Sequence, residues 1–241
     1  MSIWSRLPIA ATLVTFLAVV IMFALGFWQL QRGAEKTQRL ANIQQAAESN
    51  KLSLHQAINL GEQALDMTVS MEGVVDTQHY FLLDNKIQQG RVGYEVLVVA
   101  DTSEGNVLVN FGWLAAPALR SELPAVSLPT VPTKLQGMLA IPKQNSLITE
   151  TAAYDRQWPK ILQQADLAII AEHYAQPLLP FVILLDEELD SAYIRNWQPV
   201  VMPPEKHLAY AIQWFLLGAA ALIIFILAQR KKLKRELNDN N

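Results

Sequence analysis

Two long uncharged apolar runs constrain this chain more than any other feature. Leu7–Trp28 is 22 residues without a charge, and Leu208–Ala228 is 21. A hydrocarbon layer of about 30 Å is crossed by about 20 helical residues at about 1.5 Å each, so each run is long enough to span a membrane. Between them lies a stretch of ordinary water-soluble character, which predicts helix, large loop, helix. The chain is 51% hydrophobic, and the two runs account for the excess over a soluble protein. The first run has a competing reading, because Ala24-Leu25-Gly26 offers a small-x-small cleavage site of the kind that ends a signal peptide. Its length, and the bulky Phe27 and Trp28 that follow, favour a retained anchor.

Charge near the spans predicts the orientation. Residues 230–235, RKKLKR, place five Lys or Arg directly after the second run, a cytoplasmic signal. Two spans then put both termini inside and the loop outside. Arg32, Lys36 and Arg39 after the first run argue the other way, but long loops translocate largely regardless of charge. The expected layout is a first transmembrane helix over 7–30, an outer α+β domain over 31–206, a second helix over 207–229 and a basic cytoplasmic tail over 230–241. Residues 33–206 hold 12 Lys or Arg against 20 Asp or Glu, a net of −8. That acidity is a poor match to nucleic acid, whose phosphates demand a basic surface; membrane lipid is the neighbour expected of the two apolar runs. There is no cysteine, which excludes disulfides, cysteine zinc sites, a Cys nucleophile and C-x-x-C-H haem attachment.

Within the loop, 31–49 has helix-forming composition and continues the first helix. Strand signals dominate next, at 66–76, 79–85, 93–101, 106–114, 133–141 and 181–187. TSEG at 102–105 has turn composition, 123–132 is a proline-rich connection, and 157–175 carries apolar residues at a helical period. The expected fold class is α+β: two transmembrane helices flanking a mainly antiparallel, barrel-like extracytoplasmic domain. G-x-S-x-G, H-E-x-x-H, P-loop and G-x-G-x-x-G motifs do not occur, so no nucleophile and base stand out, and the chain is not expected to be an enzyme. His55, His79 and His173 are scattered and read as surface or satisfied histidines. DEELD at 186–190 lacks the spaced ligands of a calcium loop and reads as a solvated strand end.

The span edges carry more. HLAYAIQWF at 207–215 opens the second run. At about 100° per residue, Trp214 lies about −20°, Tyr210 about −60° and Gln213 about −120° from His207, so these groups share one side. In the first helix Trp28, Gln29, Arg32 and Lys36 share a face. The interfacial belt and snorkelling explain Trp28, Arg32, Lys36, Tyr210 and Trp214. They explain His207 poorly and Gln213 worse, since polar side chains within spans usually face protein or a site. Neutral imidazole ligates haem iron, and Arg pairs with carboxylates such as propionates. On this reading His207 is an exposed interfacial residue available to a haem held against Arg32.

LGFWQLQRGAEK (25–36), GYEVLVVAD (93–101), VNFGWL (109–114), DRQWPKILQQADLA (155–168) and HLAYAIQWF occur in the order found in the surfeit locus protein 1 family, which this chain resembles over almost its whole length. Phe111 and Val92 stand where that family usually has Arg and Pro. The resemblance implies a non-enzymatic assembly factor for haem-copper cytochrome c oxidase, associated with placing haem A into the catalytic subunit. It also implies an inner-membrane location in bacteria with the large loop periplasmic. Carried onto this sequence, it makes His207 the iron ligand of a transiently held haem A. From their charge, Arg32 and Lys36 are read as candidate partners of the propionates, with Trp28, Tyr210 and Gln213 as further contacts. Gln29, Gly93, Tyr94, Gly112, Trp113 and Trp214 match motifs with a structural or partner-binding role. The implied partners are subunit I of the oxidase and, as a second candidate, the haem A synthase. Two other classes stand beside this one: a cofactor-free membrane scaffold that holds an oxidase subunit during assembly, for which Gly218–Ala221 would suit close helix packing, and a membrane-anchored periplasmic enzyme, disfavoured by the missing catalytic constellation.

Overall fold

A computed structural model describes residues 9–48, 51–119, 121–152, 157–188, 191–197 and 200–238. The chain divides into two compact units, one made of the segments up to Asn42 and from Val200, the other of Ile43–Pro199. The first unit is a helix pair. Helix α1 runs Ile9–Glu48 and helix α4 runs Pro204–Asn238. Both are long and apolar enough to cross a membrane, over Ile9–Gln45 and Pro204–Lys232, and most of their apolar side chains face outward. Pro204 at the start of α4 suits a first turn, whose N–H has no helical partner in any case.

Glycine lets the two helices approach. A Cβ at Gly26 would collide with the Phe215 ring, and one at Gly218 would come within 2.7 Å of the Phe23 ring. Phe215 also meets Phe23 and Phe27, at ring centroid distances of 5.4 and 5.2 Å. Each helix thus seats a phenylalanine of the other over a glycine. Close packing of this kind substitutes for the hydrophobic effect, which does not drive association between helices in lipid. Gly218 acts in the close packing expected of it.

The second unit is α+β. Strand β1 (Leu52–Ser53) leads into helix α2 (Leu54–Leu60), which Ser53 and Gln56 start with a reciprocal capping box. A 3₁₀ turn over Gly61–Ala64 follows. Then come β2 (Thr68–Gln88), β3 (Arg91–Thr102), β4 (Gly105–Ala115), β5 (Thr133–Ala140), β6 (Lys160–Leu162), α3 (Leu167–Tyr174) and β7 (Val182–Leu185). The pairings β2–β3, β3–β4, β2–β5 and β5–β7 are antiparallel; β1–β2, β2–β6 and β4–β7 are parallel. The sheet is therefore mixed: its long pairings are antiparallel, and its parallel pairings span two or three residues each. The strand pairs β2–β3–β4–β7–β5 return to β2, because that long strand pairs β5 through its first residues and β3 through the rest.

Two expectations need correction. The apparent gap between 66–76 and 79–85 is a bulge inside one strand: pairing with β3 shifts register between Val75 and Tyr80, and Asp76 accepts the N–H groups of Gln78 and His79. The Asp76 side chain satisfies the bulge. The helix expected over 157–175 is β6 followed by the shorter α3. Lys160, Ile161 and Leu162 alternate between two faces and pair with Phe81–Leu83, a short apolar run that periodicity alone does not assign. Asp166 caps α3, accepting from Ala168 and Ile169.

Alternation along the strands makes two cores. One gathers Val69, Leu82, Tyr94, Val96, Val98, Val109, Leu139 and Ile183; the other sets Phe81, Leu97, Val99, Leu108 and Val182 against Leu162 and Ile170. Each such side chain contributes about 1.5–3 kcal/mol by leaving water.

Candidate functional site

The first unit brings two polar residues together inside its helix pair. His207 in the first turns of α4 is only 8% exposed. Its Nδ1 lies 2.7 Å from Gln29 Oε1 on α1, and its Nε2 is buried with no hydrogen-bond partner. At Gly33, one turn beyond Gln29, a Cβ would sit 3.4 Å from His207 Cβ and 3.6 Å from the Pro204 carbonyl oxygen. This corrects the picture of His207 as an exposed interfacial residue. The ring is buried and Gln29 bonds one edge of it.

The remaining span-edge residues are placed as follows. Arg32 is exposed and donates from Nη1 to Glu35 Oε2 at 2.8 Å, with its guanidinium 5.7 Å from the centroid of the Trp28 ring. Lys36 is partly buried on α1, Trp28 is largely exposed, and Trp214 is partly buried on α4. Tyr210 and Gln213 are exposed. The packed side of α4 follows His207, Ala211 and Gly218, a spacing of four then seven residues that stays on one stripe of a helix. Gln213, about 120° from His207, lies off that stripe. One shared side on a helical wheel was too coarse: the seam against α1 takes His207, and Tyr210 and Gln213 look away from it.

The nitrogen chemistry fits an iron ligand. If the Gln29 carbonyl accepts from Nδ1–H, Nε2 carries the lone pair, the tautomer in which histidine binds a metal. Access is closed in this packing, so a haem reaching Nε2 would have to displace what covers it. Arg32 is shared with Glu35 and is available to a propionate only in competition with it.

In the second unit the motif residues are structural neighbours. Tyr94 and Trp113 are buried in the sheet, and Trp113 Nε1 donates to the Lys86 carbonyl at 2.9 Å. A Cβ at Gly93 would strike the Leu114 carbonyl and the Trp113 indole. Gly112 has φ +117°, and a Cβ there would meet Arg195 and Ile194, so this position needs glycine twice over. Phe111 is buried, and the cation at this strand end is Arg195, which donates from Nε to the Phe111 carbonyl and from Nη1 to Asp186 O and Glu188 Oε2. Arg195 carried no motif and was not foreseen.

The scattered histidines of this unit have structural settings. His55 pairs with Glu104 at 3.1 Å, and His173 lies in the last turn of α3. His79 bonds Asp76 at 2.9 Å and packs edge-on against Trp158. Burial pushes the Asp76 carboxyl up, but the bonds from the His79 ring and from two backbone N–H groups outweigh it and hold the group below its ordinary value. Burial and then the Asp76 carboxylate push the Tyr174 hydroxyl, 3.2 Å away, up to about 12. In the DEELD run, Asp186 accepts from Gln136 and Glu188 pairs with Arg195; 189–190 lie outside the described residues, as do 155–156 of the Trp158 motif.

A model of the SURF1 family matches residues 16–219, a span that takes in the buried histidine, its glutamine partner and the whole sheet. The chain belongs to the SURF1 family. This is the surfeit locus protein 1 family of the sequence motifs, linked to assembly of cytochrome oxidase. The chain is 27% identical over 235 residues to a SURF1-like protein of Rickettsia felis, covering 90% of this chain and 96% of that one. It is 25% identical over 230 residues to a SURF1-like protein of Rickettsia conorii, covering 90% of each. Both SURF1-like relatives match along nearly their full length, so the two-unit layout is the unit of comparison.

Proposed function

We propose that this SURF1 family member assists assembly of haem-copper cytochrome c oxidase by holding haem A briefly at His207 and passing it to catalytic subunit I. The observation that carries the reading is the buried imidazole whose Nδ1 is bonded to Gln29 while Nε2 has no partner. An unpaired polar atom in a buried position has to be explained, and a ligand that arrives later explains it. Arg32 and Lys36 are the cations nearest in sequence to Gln29 and are assigned to the propionates; Trp28 stacks under Arg32. Tyr210, Gln213 and Trp214 are the surface of α4 assigned to haem edge or subunit I. The haem A synthase is the second candidate partner. The circuit of strand pairs is read as a small barrel that gives the outer domain a rigid body.

One observation favours the cofactor-free scaffold as a second reading. The glycine–phenylalanine packing of α1 and α4 is complete without any ligand, and Nε2 is closed. The two readings differ in colour and in the cell. Protein purified from membranes that make haem A is expected to carry a haem spectrum. A strain lacking it, with no second copy of the family, is expected to lose assembled oxidase while still making haem A. Colourless protein that co-purifies tightly with subunit I would replace the carrier reading by the scaffold.

The location proposed is the bacterial inner membrane, with the 43–199 unit in the periplasm and both termini in the cytoplasm, on the strength of RKKLKR. The cysteine-free chain makes this easy to check. An impermeant thiol reagent on intact spheroplasts is expected to label Ser103→Cys and to spare Asn240→Cys; the reverse pattern inverts the orientation.

A further inference from the structure

We infer that Gln29 is a positioning residue: its carbonyl selects the Nδ1–H tautomer of His207, aims the free Nε2, and, being neutral, keeps that nitrogen a modest donor suited to release. The inference rests on the haem reading for its ligand, but its first part is a property of the protein alone.

The geometry has three parts. The bond joins residues 178 positions apart at 2.7 Å, so it reports the packing of two helices and no local turn. Nε2 is enclosed and unpaired. A Cβ at Gly33 would come into ordinary contact with the β-carbon of the same histidine, so α1 and α4 run close here. The ring is thus held at Nδ1, and Nε2 is left unengaged. Two proton arrangements satisfy the Gln29 contact. If the amide nitrogen donated to Nδ1, Nε2 would carry a hydrogen buried without an acceptor. If the carbonyl accepts from Nδ1–H, Nε2 is a buried acceptor without a donor. Orphaned donors are the rarer of the two in folded proteins, which selects the second arrangement, the one that can bind a metal.

The identity of the partner then matters. Metal-bound histidines commonly lean on a carboxylate, which draws on the ring proton and raises ligand basicity. A carboxamide accepts the same bond without the negative charge. The iron–nitrogen bond it supports is weaker than a carboxylate would give, and a carrier must let its cargo go. Partners of this kind alter metal affinity by about 10–100-fold when changed.

The test has an arm without haem and an arm with it, both on the full-length protein in detergent. Nitrogen-15 spectra of His207 in haem-free protein are expected to show Nε2 unprotonated, and Gln29→Leu to move the ring toward the Nε2–H form. A wild-type ring protonated on Nε2 overturns the proposal whatever haem does. After loading with haem, transfer to apomyoglobin is expected to slow about tenfold in Gln29→Glu and to quicken about tenfold in Gln29→Leu, with the reduction potential falling in Gln29→Glu. Equal transfer rates and potentials in all three proteins overturn it. If wild type takes up no haem, the carrier reading fails and the tautomer arm alone decides the role of Gln29. Gln29→Glu retains a hydrogen-bonding side chain of the same length, so a helix pair loosened by leucine is told apart from a ligand left undirected.

Discussion

His207→Ala is expected to abolish the haem spectrum, with haem affinity down at least about a hundredfold, the upper end of what changes around a metal ligand do and the least that loss of the ligand itself can cost. The same substitution is expected to loosen the helix pair, because the ring is buried and its loss strands the Gln29 carboxamide. A buried polar group left unpaired costs about 1–3 kcal/mol. His207→Gln separates the two effects: it retains a polar side chain that can bond Gln29 but has no imidazole nitrogen. Both variants should lose the reduced-minus-oxidised signal, and only the alanine should raise the sensitivity of α1–α4 packing to detergent. Arg32→Ala should weaken retention by less than about tenfold, since its guanidinium is exposed and already paired with Glu35. His55, His79 and His173 variants should retain the spectrum. A signal unchanged in His207→Ala but lost in one of these would move the ligand off the helix pair.

That His207 demands an explanation was legible in the sequence, and its partner was not. Imidazole at the edge of an apolar span is expensive enough to demand a reason, and the motif around it points to the family. A helical wheel then ranks directions around one axis. It does not say which residue of a second helix stands opposite, because that depends on how the two are set against each other. Here Gly26 under Phe215 and Gly218 under Phe23 set the register, and through it Gln29, rather than Arg32, faces the ring. Gln29 was available as a hint: two polar side chains in two apolar spans are expected to find one another. The exposure of Tyr210 and Gln213 follows from the same register.

In the sheet, the strands built from alternating or continuous apolar residues were legible within a few positions, since burial of one or both faces leaves its mark on composition. The parallel pairings were not, because they depend on where a chain returns. Strand β7 lies parallel to β4 after a connection of more than sixty residues, and no local signal encodes that. Asp76 misled for a related reason: in a bulge, a turn-forming side chain serves the strand it interrupts. Arg195 was invisible because its partners are mostly carbonyl oxygens, those of Phe111 and Asp186, whose positions exist only once the fold is made.

The largest stability effect is expected at Trp113. The residue matches a family motif in which a structural role and a partner-binding role compete, and the structure gives the structural role a mechanism. The side chain is 4% exposed. Its Nε1 bonds the Lys86 carbonyl, its backbone exchanges two hydrogen bonds with Ile194 at 2.9 Å each, and its indole lies against Gly93, where only hydrogen fits. Trp113 therefore ties β4 to the end of β2, to the start of β3 and to the segment leading toward α4. Trp113→Ala leaves a cavity of indole size and an unpaired carbonyl, and substitutions of this class cost about 3–5 kcal/mol. For a unit of this length that corresponds to a fall in melting temperature of about 10 °C. Trp113→Phe should cost less, since most of the volume stays. Gly93→Val should rival the alanine variant by forcing the indole and the Leu114 carbonyl apart. Melting curves of full-length protein in detergent, followed by far-ultraviolet circular dichroism, give the three shifts. If Trp113→Ala melts within about 2 °C of wild type and oxidase assembly fails all the same, the indole is a contact for a partner, and the structural account of this motif is wrong.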